Sequence, residues 1–319
     1  MKYVVKATEF LIVIVLLVLS ILTFNKINQI ELIKADDYSS EQYHIAIVTD
    51  DVSSYAFAKF IDGVETSIEI EALIYEIYEV GKMSLEDIID MIIITEVDGV
   101  VLRLSDNTIA NASIAKLEEA GIKIVAVGND APESSRDVYI GTNKFNMGRH
   151  AANLAIKAIG NEGKIGVILG NEYFNESAIA TNNFINGVQD VITKTNNVEL
   201  STIKYTYSIR AELLMDEILD QDLPIDVVIC TDPVDVNRII RVLVDRNQVG
   251  EIKIIASGDT AEILDGIQKR LISASIVEDY AELGALSMTY LNQLLDGEGV
   301  SAYVNVPFNT IHQSNLGVE

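Results

Sequence analysis

Residues 122–151, IKIVAVGNDAPESSRDVYIGTNKFNMGRHA, decide how this chain folds. The run opens with the apolar strand IKIVAVG and places Asn129 and Asp130 at its carboxyl end. It then crosses a short acidic loop and forms a second short strand, VYIGT, before a helix starts at Asn146. An uninterrupted α/β winding alternates strand and helix. Strand, loop and strand without a helix therefore mark the seam where one winding ends and a second begins.

On the amino-terminal side of the seam, apolar runs of strand length alternate with amphipathic stretches from His44 onward. HIAIVTD, ALIYEIYEV and GVVLRLS are predicted strands. The segment after the first places Phe57, Phe60, Ile61, Val64 and Ile68 on one helical face. SLEDIIDMII is a helix opened by Ser84 with Asp87 at capping-box spacing, and residues 107–121 form a helix closed by Gly121. On the other side the alternation resumes through KIGVILG, ELSTIKYTY, DVVICTD, IKIIASGD and ISASIVED with helices between them. A long helix over residues 280–295 and a last strand, YVNVPF, end the pattern. Strands joined by helices imply parallel sheets with right-handed crossovers.

The formal charge of -25, from 23 Lys and Arg against 48 Asp and Glu, repels phosphate backbones, so nucleic acid is not an expected partner. Cys230 is the only cysteine, which excludes an intramolecular disulfide and a cysteine-based zinc site. In DVVIC it reads as a small buried hydrophobe.

Residues 10–24, FLIVIVLLVLSILTF, follow Lys2 and Lys6 and are apolar on every face. Fifteen helical residues reach about 23 Å, short of the ~30 Å hydrocarbon core, so Lys26 would snorkel or the bilayer thin. No small-x-small cleavage site follows, and no cysteine is there to take a lipid. An uncleaved signal anchor over residues 1–27 is expected, with secretion after signal cleavage as the alternative. A polar linker over 28–43 follows.

Ligands of open α/β sheets sit outside the carboxyl ends of the strands. Those ends carry Asp50, Asp51, Arg103, Ser105, Asp106, Asn129 and Asp130 in the first half. In the second they carry Asn171, Glu172, Tyr207, Asp232, Asp259, Glu278 and Asp279. Hydrogen-bonding groups with a few aromatics suit a small solute. Asp106 and Asp232 serve equally as helix caps, and Tyr55, Phe57 and Tyr207 equally as packing. Arg103 ends an otherwise apolar strand, so its charge needs a partner or a ligand.

Catalysis has little support. His44, His150 and His312 adjoin no serine or cysteine in an elbow-like turn. GNEGKIG precedes its strand, whereas a phosphate-cradling loop follows one. No histidine pair has metal-ligand spacing, and no cofactor is expected.

Taken together, SSYAFAKFIDGVE, VDGVVLRLSDN, AGIKIVAVGND, VYIGTNKFNMGRHAA, IASGDTAEILDGI and IVEDYAELGALSM resemble, in order and spacing, the type I periplasmic sugar-binding proteins. The likeness is closest to the ribose-binding group, whose fold also forms the effector domain of lactose-repressor-type regulators. It covers roughly residues 44–312 and implies two Rossmann-like lobes joined by three hinge strands, crossing near Thr142, Glu278 and Asn309. Lobe 1 would hold 44–142 with 279–309, and lobe 2 would hold 143–278 with 310–319.

Carried across by that resemblance, Ser54 and Phe57 match polar and aromatic ligand contacts, and Tyr55 is a candidate because it closely follows the first strand. Asn129 replaces a basic residue, Asp130 stands in for its acidic neighbour, and Asn182 stands where an arginine is usual. Tyr207, Asp232 and Asp259 match contacts, and Glu278 replaces a hinge Gln or Asn. The cleft has lost its arginines and kept carboxylates, with Arg103 nearby, so the expected ligand is a neutral, hydroxyl-rich solute, most simply a sugar, or a cationic one. The implied partner is the permease of an ABC importer, or alternatively a membrane sensor kinase. A repressor would need a basic helix-turn-helix before residue 44, where a hydrophobic run stands instead.

Overall fold

The computed structural model describes residues 42–71, 73–170, 179–206, 210–221 and 225–316. The apolar amino-terminal run and its linker, and the candidate residues Asn171, Glu172 and Tyr207, lie outside the described residues.

The first sheet contains β1 (His44–Thr49), β2 (Ile74–Glu79), β3 (Gly99–Arg103), β4 (Lys123–Val127), β5 (Val138–Gly141) and β11 (Tyr303–Asn305). Its order is β2-β1-β3-β4-β5-β11, and every neighbouring pair is parallel. The second contains β6 (Gly163–Leu169), β7 (Val198–Tyr205), β8 (Val227–Cys230), β9 (Lys253–Ser257), β10 (Ala274–Glu278) and β12 (Phe308–Ile311). Its order, β7-β6-β8-β9-β10-β12, repeats the first, except that β12 runs antiparallel to β10. Two copies of one winding result, as the alternation predicts.

Helices cover both faces of each sheet, which is why the central strands are buried along their length. In lobe 1, α1 (Tyr55–Glu71) packs on one face while α2 (Leu85–Ile94) and α3 (Asn111–Glu119) pack on the other. Lobe 2 is covered by α4 (Lys144–Ala158) and α5 (Ile179–Ile192) on one face. On the other lie α6 (Ala211–Asp220), α7 (Pro233–Asp245) and α8 (Ala261–Gln268). The last helix, α9 (Tyr280–Leu295), returns to lobe 1, where Leu283, Met288 and Leu291 join Phe57, Phe60 and Val64 of α1.

Local chemistry sets most of the helix starts. Ser84 accepts the Asp87 amide and donates its hydroxyl to the Asp87 carboxylate at 2.6 Å. The predicted helix after β3 begins as a 3-10 turn over Asn107–Ala110, because Asp106 caps Thr108 rather than a residue one turn deeper. Glycines let the paired helices touch backbone to backbone. A Cβ built on Gly63 of α1 would fall 1.8 Å from the Ala281 carbonyl oxygen of α9, and one on Gly148 of α4 2.1 Å from that of Phe184 in α5.

The chain passes between the sheets after β5, after β10 and between β11 and β12. The predicted single strand YVNVPF is two strands in different sheets. The Val306 amide still bonds the Gly141 carbonyl of sheet one, Pro307 has no amide to continue a ladder, and Phe308 and Asn309 already pair with Glu278 and Val277 of sheet two.

Candidate functional site

In both sheets the strand order reverses between the first and third strands of the winding, at β1/β3 and at β6/β8. Such switch points open a crevice at the carboxyl strand ends. The two crevices face each other across one cleft of about 470 Å³, lined from lobe 1 by residues at the ends of β1, β3 and β4 and at the start of α9, and from lobe 2 by residues after β6 and β8 and at the end of β10.

The lobes present equivalent parts. Gly128 follows β4 with φ +77°, and Gly258 follows β9 with φ +91°, a backbone turn that glycine adopts without strain. Each glycine amide bonds the next strand, Gly128 to Ile140 at 2.9 Å and Gly258 to Ile276 at 2.8 Å. Asn129 and Asp259 are delivered at matching places by these turns. Likewise Asp106 and Asp232 cap the helical segments that follow the third strand of each winding.

Asn129 is buried, and its amide nitrogen donates to the carbonyls of Leu104 at 3.0 Å and Ser105 at 3.1 Å. These two bonds fix which end of the amide is which. Its Oδ1 is buried without a hydrogen-bond partner and the residue lines the cleft, so an acceptor is held ready there. Asp50 takes the Ser105 amide on both carboxylate oxygens, at 3.1 and 3.0 Å, and the Ser105 hydroxyl as well. Arg103 lines the cleft with its guanidinium 5.6 Å from the Phe57 ring centroid and 5.8 Å from that of Phe60. Among the described residues no carboxylate lies within ion-pair distance of it.

From lobe 2, Asp232 lines the cleft while accepting the Val234 amide at 2.8 Å and the Asp235 amide at 3.4 Å, with Pro233 opening the helix. It is both cap and cleft residue. Glu278, at the end of β10, lines the cleft although its side chain is only 2% exposed. Its Oε1 accepts Lys144 Nζ at 2.5 Å and the Tyr280 hydroxyl at 3.4 Å.

The remaining candidates separate. Ser54 lines the cleft and caps α1, accepting the Phe57 amide at 3.0 Å. Tyr55 also lines it and donates its hydroxyl to Asp259 of the other lobe. Phe57 does not line it, being 5% exposed in the lobe 1 core beneath Arg103. Asp130 does not either, because Arg136 in the following loop takes both its oxygens at 2.5 and 2.9 Å. Asn182 stands exposed on α5, away from the cleft. Sequence reading passed over Thr231 and Tyr280, which line the cleft one place before and two places after recognised strand-end acids. The strand-end rule extended by two residues finds both.

The Tyr55–Asp259 bond ties the lobes together directly. Burial, opposed by a hydrogen bond from its own backbone and reinforced by nearby Asp279, raises the Asp259 carboxyl above its usual range. Tyr55→Phe is expected to shift the unliganded protein toward a more open form by about 1 kcal/mol, the worth of one such bond. A larger radius of gyration in solution scattering checks this, and an unchanged radius contradicts it.

Beneath the cleft, Asp235 on α7 is fully buried, with Oδ1 on Arg238 at 3.0 Å and Oδ2 without a partner. Burial first, then Asp232, push its carboxyl up to about 7 against the pull of Arg238. The folded state thus holds this proton more tightly than the unfolded chain. Its contribution to stability is complete below about pH 4 and is lost as pH rises through about 7. Asp235→Asn is expected to flatten a decline on the order of 2 kcal/mol between pH 5 and 8, read by urea unfolding at several pH values. Parallel pH profiles in both proteins would contradict it.

Among the described residues no three His, Cys, Asp or Glu side chains gather at metal-binding spacing, and no helix is long and apolar enough to cross a membrane. No curated protein matches the chain. Solved structures do match it. GanP, a glucose-galactose binding protein from Geobacillus stearothermophilus, aligns with a TM-score of 0.78 at 17% identity over 88% of this chain and 100% of its own. An ABC transporter solute binding protein from Burkholderia graminis, solved with D-arabinose, aligns with a TM-score of 0.80 at 20% identity over 88% and 99%. The XylFII-LytSN complex contributes a chain with a TM-score of 0.77 at 21% identity over 86% and 98%. A family model described as a periplasmic binding protein domain matches residues 78–299, from the end of β2 past α9. The chain therefore belongs to the periplasmic binding protein family and has the two-lobed fold of its type I sugar binders.

Proposed function

We propose that this protein is an extracytoplasmic solute-binding protein that closes its lobes on a sugar and delivers it to an ABC importer, without catalysing a reaction. The observation that carries this reading is the shared cleft, to which both switch points contribute hydrogen-bonding groups. Ser54, Tyr55, Arg103, Asn129, Asp232 and Glu278 are the proposed ligand contacts. Hydroxyl groups suit such a set, since each can donate to a carboxylate or to Asn129 Oδ1 and accept from Arg103. Structural neighbours solved with D-arabinose and D-allose support the ligand class. Differential affinity for the closed arrangement would draw the lobes together. The amino-terminal run would hold the domain at the outer membrane surface as an uncleaved anchor.

A second reading is kept alive by the XylFII-LytSN complex, in which a chain of this fold is bound to a second protein. There the closed lobes would be presented to a membrane sensor kinase. A thermal-shift screen of the chain against neutral pentoses and hexoses tests the common core of both readings. A sugar present at 100 times its dissociation constant should add about 2.7 kcal/mol of stability. No shift with any sugar overturns the proposal.

A further inference from the structure

We propose that Lys144, which does not line the cleft, sets the charge class of the ligand. By compensating Glu278 it makes the cleft select neutral hydroxyl-rich molecules over their ammonium-bearing counterparts. The inference rests on the sugar-binding reading above and deepens it.

Lys144 is placed against two ordinary preferences at once. It is the first residue of α4, where the positive end of the helix repels a cation. Its side chain is also only 4% exposed, where an ammonium group loses its hydration. Glu278 is equally out of place, a carboxylate with a 2% exposed side chain at the end of β10. Each offsets the other's charge across the 2.5 Å contact between Nζ and Oε1. The two are 134 residues apart and stand at successive passages between the lobes, Lys144 just after the first and Glu278 just before the second.

The consequence reaches the ligand because only one member of the pair lines the cleft. Glu278 borders the cleft, and Lys144 balances its charge from outside the lining. Without Lys144 the lining would set Asp50, Asp51, Asp232 and Glu278 against Arg103 alone. Asp50 already spends both oxygens on Ser105, and Asp232 faces the amides that open α7. Glu278 is thus the acid whose effective charge a distant residue decides. A buried ion pair offers an acceptor with little net field, which suits a hydroxyl donor. An uncompensated buried carboxylate would reward an ammonium group.

The test uses the full chain, with calorimetry and thermal shift on neutral aldoses and ketoses and on D-glucosamine and D-galactosamine. Wild type is expected to favour a neutral hexose over its 2-amino counterpart by about tenfold or more. Lys144→Met should move that ratio toward the amino sugar by at least about tenfold. Its affinity for the neutral sugar should recover as falling pH neutralises the carboxylate left beside Tyr139 and Tyr280. A merely structural lysine would not move a pH profile in this direction. Because the single variant leaves a charge buried, Lys144→Met with Glu278→Gln is the second measurement, expected to fold and to return the ratio to the neutral side. A folded single variant with the wild-type ratio, a double variant that keeps the shifted ratio, or a wild type that prefers the amino sugar overturns the inference while sparing the sugar reading. A wild type that binds no sugar rejects both.

Discussion

A Gly63→Val variant is expected to lose about 4 kcal/mol or more of stability, enough to leave lobe 1 unfolded under ordinary conditions. The obstacle to a side chain at residue 63 is the Ala281 carbonyl oxygen, 1.8 Å from where a Cβ would sit, and the backbone of a helix's first turn cannot step aside as a side-chain tip can. The partner surface is equally tight, with a Cβ on Gly284 meeting the Phe60 carbonyl oxygen at 2.0 Å. Relief requires α1 and α9 to separate, which withdraws Phe60, Val64, Leu283 and Met288 from a core that none of them leaves more than 2% exposed. Overpacking a yielding core costs about 1–3 kcal/mol, and parting two helices adds lost burial to that. Gly299→Ala is the control, because nothing lies within 4 Å of its Cβ position. Urea unfolding read by circular dichroism decides the matter; a Gly63→Val midpoint within error of wild type would refute the account.

Asn129→Asp is expected to cost about 3–5 kcal/mol of stability and to reduce ligand affinity at least about hundredfold. The substitution changes almost no volume, so its effect is electrical. An oxygen would replace the nitrogen that donates to the Leu104 and Ser105 carbonyls, putting acceptor against acceptor at about 3 Å twice over. The oxygen now without a partner would become part of a buried anion in a cleft that Asp50 and Glu278 also line. Lowering the pH should recover part of the stability, since a protonated carboxyl donates once. Asn129→Ala removes the same bonds without adding charge and should cost less, about 2 kcal/mol. Equal destabilisation by the two variants would show that the missing donor, rather than the added charge, dominates.

The architecture was legible because buried parallel strands and amphipathic helices leave strong periodic signals. Every strand and helix expected over the described residues is present, with ends displaced by a few residues, save for the final strand. YVNVPF misled because five apolar or extended residues outweigh one proline in a pattern, while in space that proline is where the chain changes sheets. The cleft was partly legible. Arg103, Asn129, Asp232 and Glu278, taken from the strand-end rule, line the cleft, as does Ser54, taken from the family resemblance. Asp130 did not signal that Arg136, six residues on, would claim it, and Phe57 did not signal that its ring would lie under a guanidinium instead of against a solute. Such outcomes depend on how loops fold back, which periodicity does not encode. Lys144 was invisible for the same reason, since its meaning comes from a residue 134 positions away.

The return of α9 to lobe 1 has a consequence for the order in which the protein is made. Apart from β12, the strands of lobe 2 and the helices that cover them come from one continuous stretch, residues 144–278, so this lobe can collapse as soon as that stretch emerges. Lobe 1 has five of its strands earlier, yet the face carrying Phe60 and Val64 stays uncovered until residues 280–295 arrive, more than two hundred positions after α1. Pairing so distant in sequence is slow to form, and an uncovered apolar face invites aggregation while it waits. The half of the molecule synthesised first is thus completed last, and until then it is the half with most need of a chaperone.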